Sequence, residues 1–286
     1  MRDYVFLLAA DLLYALQFLF TKIFEDKNES GLIASMNFSL GTGLIICLYA
    51  LFVSRFHIGV TPFSLLMAAV NACITIALNF CSIRSLSYVN LSVYAVFIMM
   101  GGMLVPSLYG VLFLHEPVTA GKIIGTVLVI GAMVCGVEKR RAHKGAWKYY
   151  AAVFLLNGMF GVCQKIHQTH MGMNVGSGSF LFLTYAAASL LSAATIWICG
   201  GRTGFAPLTG RSGMPGIIGY GIANCTAELL SLTVMIALPA SVQFGLVSGG
   251  VILFSSLISI LRREKQDRRT ILSMVLSACA IITIGM

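Results

Sequence analysis

The segment Glu138–Lys148, EKRRAHKGAWK, is a strongly basic stretch that divides the chain into two halves of nearly equal length. It contains five of the nineteen Lys and Arg residues, whereas the sequence on either side is almost uniformly apolar. We therefore interpret 138–148 as a basic linker between two arms, 1–137 and 149–286. Each arm contains five hydrophobic segments, and the second arm partly repeats the first.

Composition places the chain in a membrane. Hydrophobic residues make up 58% of the 286 residues and charged residues only 10%, and the mean hydropathy is +0.91. A soluble domain has about a quarter of its residues charged, so this composition excludes an ordinary soluble protein. The net charge of +9 does not indicate nucleic-acid binding, because the basic residues stand in short segments between apolar runs. There they set the orientation of membrane helices.

Ten apolar segments have about the length of 20 residues that a helix needs to cross the hydrocarbon core. They are Tyr4–Ile23, Leu32–Val53, Pro62–Ile83, Val89–Leu114 and Thr119–Val137 in the first arm, and Trp147–Gln168, Ser179–Cys199, Gly216–Ala237, Ala240–Leu261 and Thr270–Met286 in the second. Lipid offers backbone amides no hydrogen-bond partner, so segments this apolar must be helical. The sequence predicts an all-α integral membrane protein with ten transmembrane helices.

The two arms echo each other at fixed offsets. A shift of 148 residues places Gly101 and Gly102 on Gly249 and Gly250, Ser107 on Ser255, and Glu116 on Glu264, and a shift of 143 places Lys22 on Lys165. An odd number of spans per arm gives the two arms opposite orientations, which is the inverted-repeat design of secondary carriers. We expect two inverted five-helix repeats around a central cavity, with the glycine pairs as hinges or close-packing points in helices that line it.

These features resemble the drug/metabolite transporter superfamily, EamA type. The resemblance rests on Lys22 and Lys165, which close the first helix of each arm, and on Glu116, which closes the fourth helix before a glycine-rich fifth one (HEPVTAGKIIGTVLVIGAMV). It covers essentially the whole chain and implies movement of small metabolites by alternating access, with cytoplasmic termini. The first helix also resembles that of the small multidrug-resistance transporters, whose membrane-buried Glu falls on Tyr14 here.

Two acidic residues, Asp11 and Glu228, are the only ones of the ten that lie inside predicted spans. An ionised carboxylate at the membrane centre costs roughly 2.5–3.5 kcal/mol on insertion scales, so such a group faces the bundle interior or a water-filled cavity. A carboxyl group that gains and loses a proton beside a solute is what proton coupling requires. The alternative is a neutral carboxyl group that is hydrogen-bonded between helices and purely structural.

Polar residues recur at helical spacing on four of the predicted helices, so each set shares one face. The sets are Asp11, Tyr14, Phe18 and Lys22; Asn71, Thr75, Asn79 and Ser82; Asn157, Gly161, Gln164 and Gln168; and Tyr220, Asn224, Glu228 and Ser231. Such stripes either join neighbouring helices or line a cavity, and four of them together favour a cavity. We predict a solute- or proton-binding site formed by Asp11, Tyr14, Asn71, Asn79, Asn157, Gln164, Tyr220, Asn224, Glu228 and Ser231.

Other candidate residues have simpler interpretations. Lys22 and Lys165 can extend to the headgroups, and His167 and His170 form an interfacial pair or, alternatively, a metal-binding pair. The eight Cys lie within or at the ends of apolar runs and contain no CxxC motif, so they act as small hydrophobic residues. We therefore expect no catalytic residues, no metal and no cofactor.

Three function classes remain open: a secondary carrier, a membrane enzyme acting on lipid-linked substrates, and a passive channel. We expect the carrier, exporting small organic metabolites from a bacterial inner membrane, as a monomer or homodimer whose partners are the solute and the lipid bilayer. Fifteen of the nineteen basic residues lie at segment ends on the side of the linker. The positive-inside rule therefore predicts a cytoplasmic linker, opposite to the orientation that the family resemblance implies.

Overall fold

The computed structural model describes residues 2–28, 31–89, 91–113, 119–136, 147–170, 172–205, 213–235, 240–263 and 268–285. Within these ranges the chain forms ten α-helices and a short 3-10 helix, Arg202–Phe205, and no β-strand. The α-helices are α1 Arg2–Glu25, α2 Leu32–Val53, α3 Pro62–Leu86, α4 Leu91–Phe113, α5 Ala120–Gly136, α6 Trp147–Thr169, α7 Ser177–Gly200, α8 Met214–Met235, α9 Ala240–Leu261 and α10 Arg268–Gly285. The prediction of an all-α protein is confirmed. Residues 138–146 of the linker, together with Glu116 and Glu264, lie outside the described residues.

Several helix ends have local causes that are visible in the sequence. The side chain of Thr61 accepts a hydrogen bond of 3.1 Å from the backbone N–H of Ser64, and Pro62 occupies the first turn of α3. Both features are typical of a helix start. After α7, Gly201 adopts a φ of +55°, a left-handed conformation that favours glycine and stops a helix.

By length and composition, six of the helices can span a membrane, as an integral membrane protein requires. They are α1, α2, α3, α4, α7 and α8, with candidate spans of 21 to 25 residues. Shorter apolar stretches, Ile123–Ala132 and Leu246–Leu261, lie in α5 and α9. The prediction of membrane-spanning helices is thus met by six helices of the described chain, and ten crossings stay a prediction.

The helices pack in matched pairs. Helix α1 contacts α8 and α9, while α6 contacts α3 and α4. Helix α2 pairs with α7, α4 with α9, and α5 with α10. If every helix is exchanged for the helix five positions away in the chain, each of these contacts becomes another contact of the same set or stays as it is. The contact of α1 with α8, for example, becomes that of α6 with α3.

Two apolar clusters hold the bundle together on either side of its centre. One joins α1, α4 and α9, and in it the rings of Phe18 and Tyr94 meet edge to face at 5.2 Å. The other joins α1, α2, α7 and α8, and in it the rings of Phe38 and Tyr220 lie 4.9 Å apart. Phe18 of the first cluster and Tyr220 of the second both line the same cavity, so the two clusters meet at the candidate site.

Candidate functional site

A cavity of about 100 Å³ lies at the centre of the bundle, between α1, α3, α4, α6, α8 and α9. Seven of the ten predicted site residues line it: Tyr14, Asn79, Asn157, Gln164, Tyr220, Asn224 and Ser231. The remaining wall is largely apolar and includes the rings of Phe18, Phe160 and Phe244. No residue of this described wall carries a charge at neutral pH. The cavity is therefore a polar band set in an apolar, aromatic pocket.

Glu228 lies one layer behind this wall, in the middle of α8. It is only 2% exposed. Its Oε1 accepts a hydrogen bond of 2.7 Å from the Tyr185 hydroxyl, and its Oε2 accepts one of 3.4 Å from Gln164 Nε2. Asn224 Oδ1 lies 2.8 Å from the same Tyr185 hydroxyl. Helices α6, α7 and α8 thus converge on a single buried acid.

Tyr185 gives this cluster two alternative hydrogen-bond arrangements. Its hydroxyl oxygen lies 2.7 Å from Glu228 Oε1 and 2.8 Å from Asn224 Oδ1, but it has only one proton to donate. When Glu228 is ionised, Tyr185 donates to the carboxylate. When Glu228 carries a proton, the carboxyl group can donate to Tyr185, which is then free to donate to Asn224. The two arrangements differ by one proton, and the same residues accommodate both.

The first arm joins the cluster through α1. Asn224 Nδ2 donates to Gln17 Oε1 at 2.9 Å, and Gln17 Nε2 lies 3.4 Å from the Tyr220 hydroxyl. One turn earlier, Tyr14 lines the same cavity as Ser231 and Asn224. Polar groups of both arms therefore meet at the buried acid.

Besides Glu228, two of the predicted site residues lie outside the cavity wall. Asp11 is 3% exposed, and its carboxyl group packs against Gly250 of α9. Asn71 is 1% exposed on α3, and its backbone carbonyl accepts a hydrogen bond from Thr75. Neither Asp11 Oδ1 nor Asn71 Oδ1 has a hydrogen-bond partner among the described residues. The structure thus buries both side chains but does not bring them into the cavity wall.

Some polar residues of the stripes also join neighbouring helices. Asn79 Nδ2 donates to Ser39 Oγ of α2 at 2.9 Å, and Asn157 Nδ2 donates to the backbone carbonyl of Ile98 in α4 at 2.7 Å. Both Asn79 and Asn157 line the cavity as well. At these positions both interpretations of a polar stripe apply, because the side chains join neighbouring helices and also line the cavity.

The glycine pairs lie where helices approach closely. A Cβ atom on Gly101 would collide with the backbone of Phe154 in α6, and one on Gly250 would collide with the Asp11 carboxyl group in α1. Gly102 lines the cavity, and a Cβ there would lie 2.6 Å from Asn157 Nδ2. Gly249 is buried. This packing explains the small residues at Gly101 and Gly250, while a hinge function stays a prediction.

An ion-pair cluster lies at the far end of α1. Lys22 Nζ donates to Glu25 Oε2 at 2.6 Å and to the backbone carbonyl of Leu86 at the end of α3 at 3.0 Å, and lies 3.1 Å from Asp26 Oδ1. Arg262, directly after α9, pairs with Asp26 Oδ2 at 2.8 Å. We call Lys22, Glu25, Asp26 and Arg262 the Lys22 cluster. It ties together the ends of three cavity-lining helices from both arms.

His167 serves as a packing residue at the end of α6. Its Nε2 lies 2.9 Å from Ser64 Oγ of α3, and its ring stacks on Phe180 of α7 with a centroid distance of 3.8 Å. His170 stacks on Phe63 instead, at 4.7 Å. Across the described part of the chain, no group of three or more His, Cys, Asp or Glu residues is placed to hold a metal ion.

Two residues of the site were not among the sequence candidates. Gln17 lies three positions after Tyr14, on the edge of the first polar stripe. Tyr185 begins a stripe of its own in α7 with Ser189 and Ser192, all of them buried. The spacing of that stripe was available in the sequence. The importance of Tyr185 could not be predicted from that spacing, since only the fold places it against Glu228.

Comparison with known proteins shows a shared fold and gives no information about function. No protein-family model matches the chain, and no curated protein matches its sequence. A crystal structure of another protein aligns with 99% of this chain and 96% of its own, with a TM-score of 0.63 and 13% sequence identity. The whole chain therefore shares its fold with a solved structure, at an identity where chemistry is not transferable.

Proposed function

We propose that the protein is a secondary carrier that moves small organic solutes across a membrane by alternating access. The observation that carries the proposal is the central cavity with Glu228 buried behind its wall and polar groups from both arms converging on it. A buried acid at mid-membrane is costly and by default marks a solute, ion or proton pathway. We further propose that the chain is of the EamA type within the drug/metabolite transporter superfamily.

The architecture proposed for this carrier is ten membrane-crossing helices in two inverted five-helix repeats. Supporting this, the most extensive helix contacts, α1 with α8 and α9, α6 with α3 and α4, α2 with α7, α4 with α9 and α5 with α10, form the same set when α1–α5 are exchanged with α6–α10. Individual residues follow the same exchange. Gly101 of α4 packs on Phe154 of α6, and Gly250 of α9 packs on Asp11 of α1. The shift of 143 residues that pairs α1 with α6 places Asp11 on Phe154, so the two contacts are near counterparts.

Proton coupling is the second element of the proposal. The Glu228, Tyr185 and Asn224 side chains form a hydrogen-bonded set that accommodates Glu228 with or without a proton. A carrier in which the proton and the solute leave and bind Glu228 in turn converts a proton gradient into solute accumulation. Alternating access is required because a pore open to both sides would dissipate that gradient.

A counterflow assay in proteoliposomes tests the proposal. Solutes that stabilise the purified protein against heat are loaded inside the vesicles, and a trace of labelled solute is added outside. A carrier accumulates the label transiently above its equilibrium level, because exchange is faster than net loss. A passive channel only equilibrates the label, and a membrane enzyme converts the solute instead, so either outcome would refute the carrier.

A further inference from the structure

We propose that the transported solute carries a cationic nitrogen on an apolar or aromatic body and bears no carboxylate or phosphate group. This inference rests on the proposed function, because it takes the central cavity to be the solute site. It is carried by the charges around the cavity, the weakest hydrogen bond of the Glu228 cluster, and the composition of the wall.

The charges beside the cavity are of one sign. Glu228, which is hydrogen-bonded to Gln164 of the wall, is a buried acid next to it, and no described wall residue is basic. Lys22, the basic residue of the α1 stripe, is held by Glu25, Asp26 and the Leu86 carbonyl. An anionic solute would leave water without gaining a counter-charge, which is strongly unfavourable in a buried site. A cationic solute would find a carboxylate.

Gln164 is the side chain that separates the cavity from the carboxylate. It lines the cavity, and its hydrogen bond to Glu228 Oε2, at 3.4 Å, is much longer than the 2.7 Å bond from Tyr185. Charge-assisted N–H···O bonds are about 2.7–2.9 Å long and roughly twice as strong as neutral ones. An ammonium group that displaces Gln164 from Oε2 therefore makes a better bond than the one it replaces.

Further acceptors face the same polar layer. Asn224 and Tyr220, which line the cavity, each have a side-chain oxygen atom that can accept a hydrogen bond. Pro106 has no backbone N–H, so it leaves the carbonyl of Gly102, another wall residue, without its usual helical donor. An ammonium group has three donors and no acceptor. It matches a site that offers a carboxylate and several oxygen atoms.

The remaining wall accommodates an uncharged, apolar body. Phe18, Phe160 and Phe244 surround the cavity together with Leu78, Ile98, Met99 and Val247. These side chains offer a solute no hydrogen-bond partner, so the polar contacts come from the rest of the wall. Aromatic faces also attract cations, at about 0.5–1 kcal/mol in exposed sites and more when water is excluded. The wall and the buried acid therefore select the same kind of molecule, an amphipathic amine.

Binding to the purified full-length protein tests this with matched probes. Phenethylammonium, phenethyl alcohol and phenylacetate share a ring and chain length and differ in charge, and hexylammonium replaces the ring by an alkyl chain. By isothermal titration we expect the ammonium ions to bind at least about tenfold more tightly than the alcohol, as one added charge-assisted bond implies. We expect no binding of phenylacetate. Glu228→Gln should remove the preference for the ammonium ion and leave the alcohol unaffected.

The wild-type series decides the matter even if Glu228→Gln fails to fold. Equal binding of the three phenyl probes, tighter binding of phenylacetate, or no binding of either ammonium ion overturns the inference. The carrier is tested separately by counterflow. Ammonium binding without counterflow refutes the carrier and leaves the binding preference intact, whereas counterflow of neutral or anionic solutes alone leaves the carrier and refutes the preference.

Discussion

Glu228 is separated from the cavity by Gln164 and Asn224, and Tyr185 covers it from the side of α7. In the proposed carrier, a solute must move Gln164 before it reaches the carboxyl group. Tyr185, which holds the acid from the other side, is then distinct from the residues that meet the solute.

We predict that Glu228→Gln folds and inserts normally but loses uphill transport driven by a pH gradient. The amide keeps the size of the side chain and can still bond to Tyr185, so packing is preserved. It cannot take up and release a proton, so accumulation stops while solute exchange can continue. The measurement is uptake into proteoliposomes with and without an imposed pH gradient. Unchanged gradient-driven accumulation would make Glu228 a structural residue.

Asp11→Asn is the matched control from the first arm. Asp11 is buried like Glu228, but it packs against Gly250, and its Oδ1 has no hydrogen-bond partner among the described residues, whereas Glu228 is bonded to Gln164 of the cavity wall. We therefore expect its amide variant to weaken coupling less than Glu228→Gln does. Equal loss in both variants would assign the two acids the same function.

Much of the site could be predicted from helical spacing. The α8 stripe placed Tyr220, Asn224 and Ser231 on one face, and the structure finds all three in the cavity wall. Helical spacing identifies the residues that share a face of a helix, but not the helix that packs against that face. Asp11 shares a face with Tyr14, yet it packs on α9, because α1 touches different helices along its length. For the same reason the sequence could not pair Tyr185 with Glu228.

At the scale of helices, the contact between α4 and α6 depends on Gly101. We predict that Gly101→Ala lowers the thermal unfolding temperature of the purified protein, because its Cβ would meet the backbone of Phe154, which cannot rotate away. Overpacking of this kind costs about 1–3 kcal/mol. Alanine gains only about 0.5–1 kcal/mol over glycine within a helix, so the loss should dominate.

Gly102→Ala is the control for that measurement, one residue along the same helix. Its Cβ would meet only Asn157 Nδ2, the end of a side chain that can shift. We expect a clearly smaller change in unfolding temperature. If Gly102→Ala lowered the unfolding temperature as much as Gly101→Ala, both substitutions would be disturbing the helix itself rather than its contact with Phe154.

The Lys22 cluster links the end of α9 to the end of α1, which belong to different arms. The Arg262–Asp26 pair is partly exposed, with side-chain exposures of 29% and 41%. Such a pair contributes about 1 kcal/mol or less to stability, but it must break if the arms separate at this end. We predict that Arg262→Gln leaves the unfolding temperature unchanged and increases access to the cavity.

Access is measured as the rate at which a membrane-impermeant thiol reagent labels Val247→Cys, a cavity position, in a chain whose native cysteines are replaced by alanine. Arg263→Gln is the control. It removes the same charge one residue later, where the described structure shows no ion pair for Arg263. Equal labelling rates in the two variants would mean that the Lys22 cluster does not restrain this end.

The helices themselves were predictable because their causes are local. Apolar length, the Thr61–Pro62 start of α3 and the glycines after α7 are all visible in the sequence, and the predicted spans differ from the observed helices by a few residues. The pairing of the helices was not visible. It depends on contacts such as Gly101 with Phe154, between residues far apart in the chain.

For the whole molecule, the exchange of α1–α5 with α6–α10 has a mechanical consequence. If the arms are inverted repeats, the contact of α1 with α9 and that of α6 with α4 lie at corresponding places near opposite ends of the cavity. Opening one end and closing the other then requires each arm to adopt the conformation of its counterpart. Gly250 and Gly101 lie at those two contacts, which is why substitutions there should affect transport as well as stability.

Orientation in the membrane is the last property that the sequence predicts. Fifteen of the nineteen basic residues lie on the linker side, leaving Arg2, Arg55, Lys122 and Lys165 on the other. The acids that pair with Lys22 and Arg262 do not weaken this prediction, because orientation follows Lys and Arg rather than net charge. We expect a green fluorescent protein fused at Lys144 to fluoresce and alkaline phosphatase fused there to be inactive, with the reverse at the C-terminus. Phosphatase activity from the Lys144 fusion would instead place the termini in the cytoplasm, as the family resemblance implies.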